Sequence, residues 1–360
     1  MNRMTRRQFT KLASSAAVLS TAGPLSLGRA LAAEKITAVE WGGAYLDASQ
    51  AIAAKQTHVD VNWQRHAGGA MVIMSKIKST WPKPGIDLLS GWDPSWQMVA
   101  KEGWAEPVTL EQVPNLADIP PKLLVKDGGG NIVNIPRTVA STFWIYRKDT
   151  IPFEITKVED LLDPRLKGKI CWNVPSLGSN LQMVMLALHK GGDERNLEPA
   201  WDFVKELARS GNIGRVANSD QDMTSSISTG ETSMAFAAAF VIKDLARNFQ
   251  LHYLNKMDTA SGFRTFIYQE GWTVLKGGNT KAAFDFANFA ISPENDATFN
   301  QISGAGLPAN VKSVVSEELK PFSLNSEEMN LHAYIPDWAY LSEQEAVWQK
   351  RWEQEIAPLL

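Results

Sequence analysis

The sequence predicts an α/β protein of two lobes joined by strands that cross between them. Between residues 35 and 103 a strand, a turn and a helix recur three times. That alternation builds an open sheet, which binds ligands at the carboxyl ends of its strands. A β-branched and aromatic ribbon then runs over residues 135–149. It is too long for an ordinary hairpin strand and has small residues, Ala140-Ser141-Thr142, at its centre. It therefore reads as a strand that leaves one lobe and enters the other. A chain of 360 residues is also long enough to divide into two domains.

Residues 1–32 stand apart from this fold. Thr5-Arg6-Arg7-Gln8-Phe9-Thr10-Lys11 opens a segment with five basic residues (Arg3, Arg6, Arg7, Lys11, Arg29) and no acidic one. A mildly apolar run from Leu12 to Ala22 follows, then Ala30-Leu31-Ala32, small residues at the spacing a signal peptidase accepts. The pattern resembles a twin-arginine export signal and departs from it at Thr10, where a leucine is usual. An ordinary signal peptide that contains Arg-Arg is the alternative, and either one takes the mature chain out of the cytoplasm. The run is too short and too rich in Ser and Thr to span a bilayer, and no later stretch is long enough, so no membrane insertion is expected.

Charge and cysteine content narrow the classes. Subtracting the five basic residues from 36 Lys and Arg leaves 31 against 39 Asp and Glu, a net charge of −8 over residues 33–360. That balance offers no basic stripe to nucleic acid. The single cysteine, Cys171, excludes an internal disulfide, so the fold must rest on its core.

The first strand, residues 35–40, runs into Trp41-Gly42-Gly43-Ala44-Tyr45. Two glycines there let the backbone approach a ligand and leave the first amides of the next helix free. A strand at residues 59–63 leads to a second glycine turn, Ala67-Gly68-Gly69. Met71, Ile73, Met74 and Ile77 then recur at helical spacing and read as core. A third strand, residues 86–90, ends in the turn Gly91-Trp92-Asp93-Pro94. Beyond the ribbon, Asp149 and Pro152 close it, since proline cannot donate to a ladder. A strand at residues 169–173 ends in a polar turn at 175–180 and faces an apolar helix at 181–189. A mixed-face helix covers residues 198–210, and Ser219-Asp220 opens another by capping its free amides. Residues 234–240 read as a buried strand and turn, and residues 263–275 as the strand that returns to the first lobe.

Several of these stretches together resemble the bacterial extracytoplasmic solute-binding proteins of ABC importers, family 1, spermidine/putrescine-binding type. They are Trp41-Gly42-Gly43-Ala44-Tyr45, the strand ending at Ser90, the crossover after Ile135-Pro136 and the run from Val158 to Ile170. The helix from Ala282 to Ile291, with Ser292-Pro293-Glu294 and Gly306-Leu307-Pro308-Ala309-Asn310 beyond it, strengthens the likeness. The resemblance covers nearly all of the mature chain. It implies the periplasmic-binding-protein type II fold, two α/β lobes joined by a crossover-strand hinge. Residues 34–140 and 270–315 would form lobe 1, and residues 141–269 and 316–360 lobe 2. It further implies a periplasmic monomer that closes on a small-molecule ligand and is read by the membrane permease subunits of the transporter.

Catalytic and cofactor motifs are missing. There is no GxGxxG, phosphate loop, GxSxG or HExxH. The five histidines, His58, His66, His189, His252 and His332, lack ligand spacing, and no two of the six tyrosines are adjacent, which argues against the ferric-ion branch of related proteins. No catalytic residue, metal or cofactor is expected, because a binder needs a shaped pocket and not a reactive group. The positive signal is aromatic: thirteen tryptophans, with Trp41, Trp92 and Trp272 at predicted strand ends or turns beside Tyr45 and Tyr268. Core packing is the ordinary role of such rings; at a strand's carboxyl end their electronegative faces suit a cationic amine.

The resemblance also points to individual residues. Tyr268-Gln269-Glu270 matches the aromatic-x-acid triplet that holds an amino group in polyamine binders, with Tyr for Trp and Glu for Asp. The second acid of those proteins would fall in Ser176-Leu177-Gly178-Ser179-Asn180, which has none. Arg137 stands in the crossover where a neutral residue is usual; it would grip a carboxylate bidentately or pair with Glu270. One acid and one arginine suggest a solute with both an amine and an acidic group, such as an amino-acid derivative. The candidate contacts are Trp41, Tyr45, Ser90, Trp92 and Glu270 from the first lobe and Ser176, Ser179, Asn180, Phe236 and Trp338 from the second, with Gly42, Arg137 and Tyr268 beside them. An organic carboxylate held by Arg137 and the turn at 176–180 is the alternative ligand. A third reading is an enzyme on the same fold using Cys171, as some thiamine-degrading enzymes do. Cys171 falls inside a strand, however, and is expected to be a buried packing residue with no turnover.

Overall fold

The computed structural model describes residues 33–66, 70–304 and 306–360. The segment read as an export signal and the turn at residues 67–69 lie outside them. The elements run β1 (Glu34–Glu40), α1 (Ala44–Ala53), β2 (Val59–Arg65), α2 (Ala70–Thr80), β3 (Leu88–Trp92) and α3 (Asp93–Lys101). The ribbon is one strand, β4 (Ile135–Arg147), followed by β5 (Ile170–Asn173), α4 (Leu181–His189), α5 (Glu198–Ser210), β6 (Ile213–Ala217), α6 (Asp220–Thr229), β7 (Met234–Ala238), α7 (Ala239–Ala246) and β8 (Leu251–Tyr253). The return strand is β9 (Thr265–Val274), and then come α8 (Thr280–Ala290), α9 (Pro293–Ser303), β10 (Leu307–Pro308), α10 (Ser326–His332), β11 (Ala333–Tyr334) and α11 (Trp338–Glu355).

The main strand order is β2-β1-β3-β9-β4-β7-β5-β6. β1 is parallel to β2 and β3, and β5 is parallel to β6 and β7. Between these two parallel sets lie β9 and β4, antiparallel to each other and to the sets they join. Two α/β lobes thus share a pair of long strands. Each lobe has its own aromatic core: Trp144, Trp172, Trp201 and Trp352 on the β5–β7 side, Trp272 with Phe284 and Phe286 on the β1–β3 side. Trp272 is therefore core and not part of a binding wall.

Local chemistry accounts for the helix ends. Ser219 accepts the Asp222 amide to start α6, and Gly211 and Gly230 take left-handed φ to end α5 and α6, as glycine does at helix stops. Two expectations shift. β3 continues through Gly91-Trp92 and α3 begins directly at Asp93, so there is no intervening turn. Strands β6 and β8 carry too little apolar alternation to be seen in the sequence; β6 reads Ile-Gly-Arg-Val-Ala. Gly214 within β6 is required, because a Cβ there would lie 2.1 Å from the Gly168 oxygen.

Candidate functional site

A cavity of about 230 Å³ opens where the carboxyl ends of β3 and β5 face the centre of the β4–β9 pair. Trp92 comes from the end of β3, Tyr268 from β9, Phe236 from β7, and Trp338 from the first turn of α11. Trp338 meets Trp92 and Tyr268 with ring centroids 6.3 Å apart in each case. The floor includes Thr142 of β4 and Asn173 at the end of β5, whose side-chain amide donates to the Phe236 oxygen at 3.0 Å. Two consecutive left-handed residues, Ser179 (φ 51°) and Asn180 (φ 58°), turn the chain into α4, and Ser179 lines the cavity.

Asp220 is the one charged residue among the described residues that line it. It sits on the first turn of α6, and burial raises its pKa above the ordinary carboxylate value. Sequence reasoning missed it as a site residue. The capping pattern at Ser219-Asp220 was legible, but the strand before it, β6, was not. With β6 in place, Asp220 falls just beyond a strand's carboxyl end, where such folds bind ligands.

Beside this cavity lies a second charged group. Glu270 is Trp92's ladder partner across β3 and β9. Its carboxylate accepts a hydrogen bond from the Tyr45 phenol, while its Oε2 has no partner among the described residues. Burial pushes Glu270 up to about 7; Arg137 and the Tyr45 hydrogen bond pull it down, and Glu40 and Asp93 push it further up. Asp93, 3% exposed, holds both the backbone and side-chain nitrogens of Gln269 at 3.1 Å. It is itself pushed up to about 6 by burial. The triplet is thus pinned at its middle residue, with Tyr268 and Glu270 on either side. Burial raises the Tyr268 phenol, and the charges of Glu270 and Asp220 raise it further, so both carboxylates act on one ring.

Arg137 departs from expectation. It is 1% exposed and pairs with Glu40, 0% exposed, through two bonds of 2.5 and 2.8 Å. Ser49 and Ser90 accept further bonds from it at 3.2 and 3.1 Å, and its guanidinium lies 4.5 Å from the Trp272 ring and 4.0 Å from Phe299. Neither a grip on a carboxylate solute nor a pair with Glu270 fits that geometry. The reason is a bulge between Pro136 and Thr138 in the β4–β9 register, which leaves Arg137 out of the ladder and turns it beneath the surface. Ser90, 0% exposed, is committed to Arg137 and is not on the cavity wall. Ser176 is exposed and Asn180 buried, and neither lines the cavity.

Of the remaining candidates, Tyr45 adjoins Glu270 through its hydrogen bond, and Trp41 and Gly42 lie at the end of β1. Tyr45 meets Phe299 edge-on at 5.7 Å, and Trp41 stacks on His66 at 3.9 Å with its indole nitrogen unpartnered among the described residues. Gly42 is exposed next to them, before Gly43, the N-cap of α1. Cys171 is 0% exposed in β5, and burial pushes its thiol up to about 12, which leaves essentially no thiolate at neutral pH. Among the described residues, no group of three His, Cys, Asp or Glu could hold a metal ion, and no helix is long and apolar enough to cross a membrane.

The sequence matches the family model of bacterial extracellular solute-binding proteins over residues 47–323. No curated protein sequence matches it. Solved structures share its fold. An extracellular solute-binding protein of Bordetella parapertussis is 20% identical with a TM-score of 0.74, covering 91% of this chain and 100% of that one. An ABC transporter protein of Clostridium perfringens is 19% identical, TM-score 0.72, covering 89% and 99%. A spermidine/putrescine ABC transporter substrate-binding protein of Streptococcus pneumoniae is 17% identical, TM-score 0.66, covering 88% and 100%. Two α/β lobes on a shared strand pair, an aromatic cavity at the strands' carboxyl ends and a family match over most of the sequence agree: this chain belongs to the bacterial extracellular solute-binding proteins.

Proposed function

We propose that this chain is the periplasmic solute-capturing subunit of an ABC importer, delivering an amine-bearing organic solute to its membrane permease subunits. The observation that carries this reading is the pairing of two carboxylates, Asp220 and Glu270, with one aromatic enclosure. Among the described residues no lysine or arginine lines the cavity, and Arg137 is held by Glu40. Ring faces and desolvated carboxylates both favour an ammonium group and disfavour a bare anion. The solute would touch Trp92, Ser179, Asp220, Phe236, Tyr268 and Trp338, with Glu270, Tyr45, Trp41 and Gly42 closing from the side.

The mechanism is closure about β4 and β9, with residues 34–140 and 270–315 moving as one lobe and residues 141–269 and 316–360 as the other. Only a solute that contacts both lobes drives closure, because a ligand shifts an equilibrium by its differential affinity alone. Asp220 on one lobe and Glu270 on the other meet that requirement. The same fold occurs in the spermidine/putrescine protein above and in an Agrobacterium protein in complex with agropinic acid, 19% identical with a TM-score of 0.52. A solute that carries an acidic group as well as its amine therefore belongs in the test.

A thermal-shift screen against polyamines, amino acids, opine-like conjugates and amine-free organic acids tests the proposal, since ligand binding raises stability by mass action. The expected hit carries a protonated amine, and Asp220→Asn weakens it by about 10- to 100-fold, as loss of a charged hydrogen-bond partner implies. Stabilisation by an amine-free acid, unchanged in Asp220→Asn, overturns it.

A further inference from the structure

On the opposite face of β4 and β9 lies another cavity, of about 180 Å³. Successive side chains of a strand point to opposite faces. Thr142 and Tyr268 line the front cavity, whereas their neighbours Ser141 and Ile267, ladder partners in β4 and β9, line the rear one. The rear cavity sits on a seam between two hydrophobic cores. Ile267, Ala309 and Met329 belong to one; Leu307 and Phe322 belong to the other. An occupant there touches both cores and the back of the strands that join the lobes.

Its lining defines the chemistry of that occupant. Among the described residues no titratable side chain faces it, so a charged molecule would lose hydration with no countercharge to replace it. The polar groups Asn310, Ser323 and Asn325 are already engaged, the first donating to the Ile291 oxygen, the second to the Lys320 oxygen, the third accepting the Glu328 amide. Ser141 Oγ and Ser313 Oγ have no hydrogen-bond partner among the described residues, although these residues are only 2% and 8% exposed. Buried hydroxyls are nearly always bonded, and a hydroxyl both donates and accepts. We propose that this rear cavity is a second binding site, independent of the solute cavity, for a small neutral molecule that is mostly apolar and carries one hydrogen-bonding group. The volume suits a single aromatic ring, since apolar cavities of about 150 Å³ take benzene.

The probe is phenol, titrated into the full chain with methyl groups observed by NMR, with benzene and benzoate as comparators. The expected result is saturable shifts of the Ile267, Leu307 and Met329 methyls with phenol and none with benzoate. Ser141→Ala should weaken phenol by about three- to tenfold, one neutral hydrogen bond, and leave benzene unchanged. Ala309→Leu, which fills the cavity, should abolish both. If Ala309→Leu does not fold, the phenol-to-benzene ratio in Ser141→Ala still decides. Absence of saturable phenol shifts, shifts centred away from these methyls, equal binding of benzoate, or an unchanged phenol affinity in Ser141→Ala each overturns the proposal.

Discussion

Replacing Glu270 with glutamine should make the ligand-free protein more stable and the solute-binding protein weaker. Glu270 is pushed from 4.5 to about 7, chiefly by burial, and its Oε2 has no partner among the described residues. At about 1.4 kcal/mol for each tenfold change in proton affinity, holding it ionised in the folded state costs about 3 kcal/mol. The sign follows from proton linkage. The folded state binds this proton more tightly than the unfolded one, so the carboxyl's contribution is neutral below pH 4.5. It then turns increasingly unfavourable as pH rises through about 7. Glutamine keeps the shape and still accepts from Tyr45, but removes the charge. Glu270→Gln should therefore match the parent near pH 4.5 and exceed it by up to about 3 kcal/mol at pH 8. Part of the parent's pH slope should survive in the variant, because burial also pushes Asp93 up to about 6 and raises Asp296. An amine solute supplies the missing countercharge, so the same substitution should weaken it by ~2–5 kcal/mol. Urea unfolding from pH 4.5 to 8 measures the first effect, and calorimetry with the amine found by screening measures the second. A variant less stable than its parent at pH 8, with an unchanged slope, would refute the assignment of an unpaired charge; an unchanged affinity would remove Glu270 from the solute site.

The affinity for that amine should also rise with pH and level off above about 7, the pH at which Glu270 ionises; a flat calorimetric profile from pH 6 to 8 speaks against it. Arg137→Met leaves Glu40 as a buried, uncompensated charge, which should cost ~3–5 kcal/mol, whereas changing both residues to methionine should recover most of the loss. Urea midpoints in a double-mutant cycle give the coupling, and additive losses would contradict the pair. Cys171, with its thiol pushed up to about 12 by burial, should react with iodoacetamide at neutral pH only as fast as the protein unfolds. Rapid labelling that a cavity ligand blocks would instead place a reactive thiolate in the site.

Much of this architecture is written in neighbouring residues. The helices 181–189 and 198–210 coincide with α4 and α5 because apolar spacing and a glycine stop are local signals. The ribbon at residues 135–149 becomes β4, Ile135–Arg147, because a β-branched run closed by Asp149 and Pro152 has few other conformations. The aromatic candidates Trp92, Phe236, Tyr268 and Trp338 do converge on one cavity: the end of β3, β7, β9 and the start of α11 are all legible, and the fold brings them to one side. Short strands with little alternation were not, and Asp220 went unseen with β6.

The fate of charged groups depended instead on contacts distant in sequence. Arg137 and Glu40 are 97 residues apart, and one unpaired residue in the β4–β9 ladder carries Arg137 from the expected ligand site to a buried ion pair. A single-residue shift reverses which face a side chain occupies, and no local pattern announces a bulge. The same alternation sends Tyr268 to the front cavity and Ile267 to the rear. Composition and periodicity therefore specify the lobes and their joining strands, while register, which needs both strands in place, specifies which polar groups meet a ligand and which meet each other.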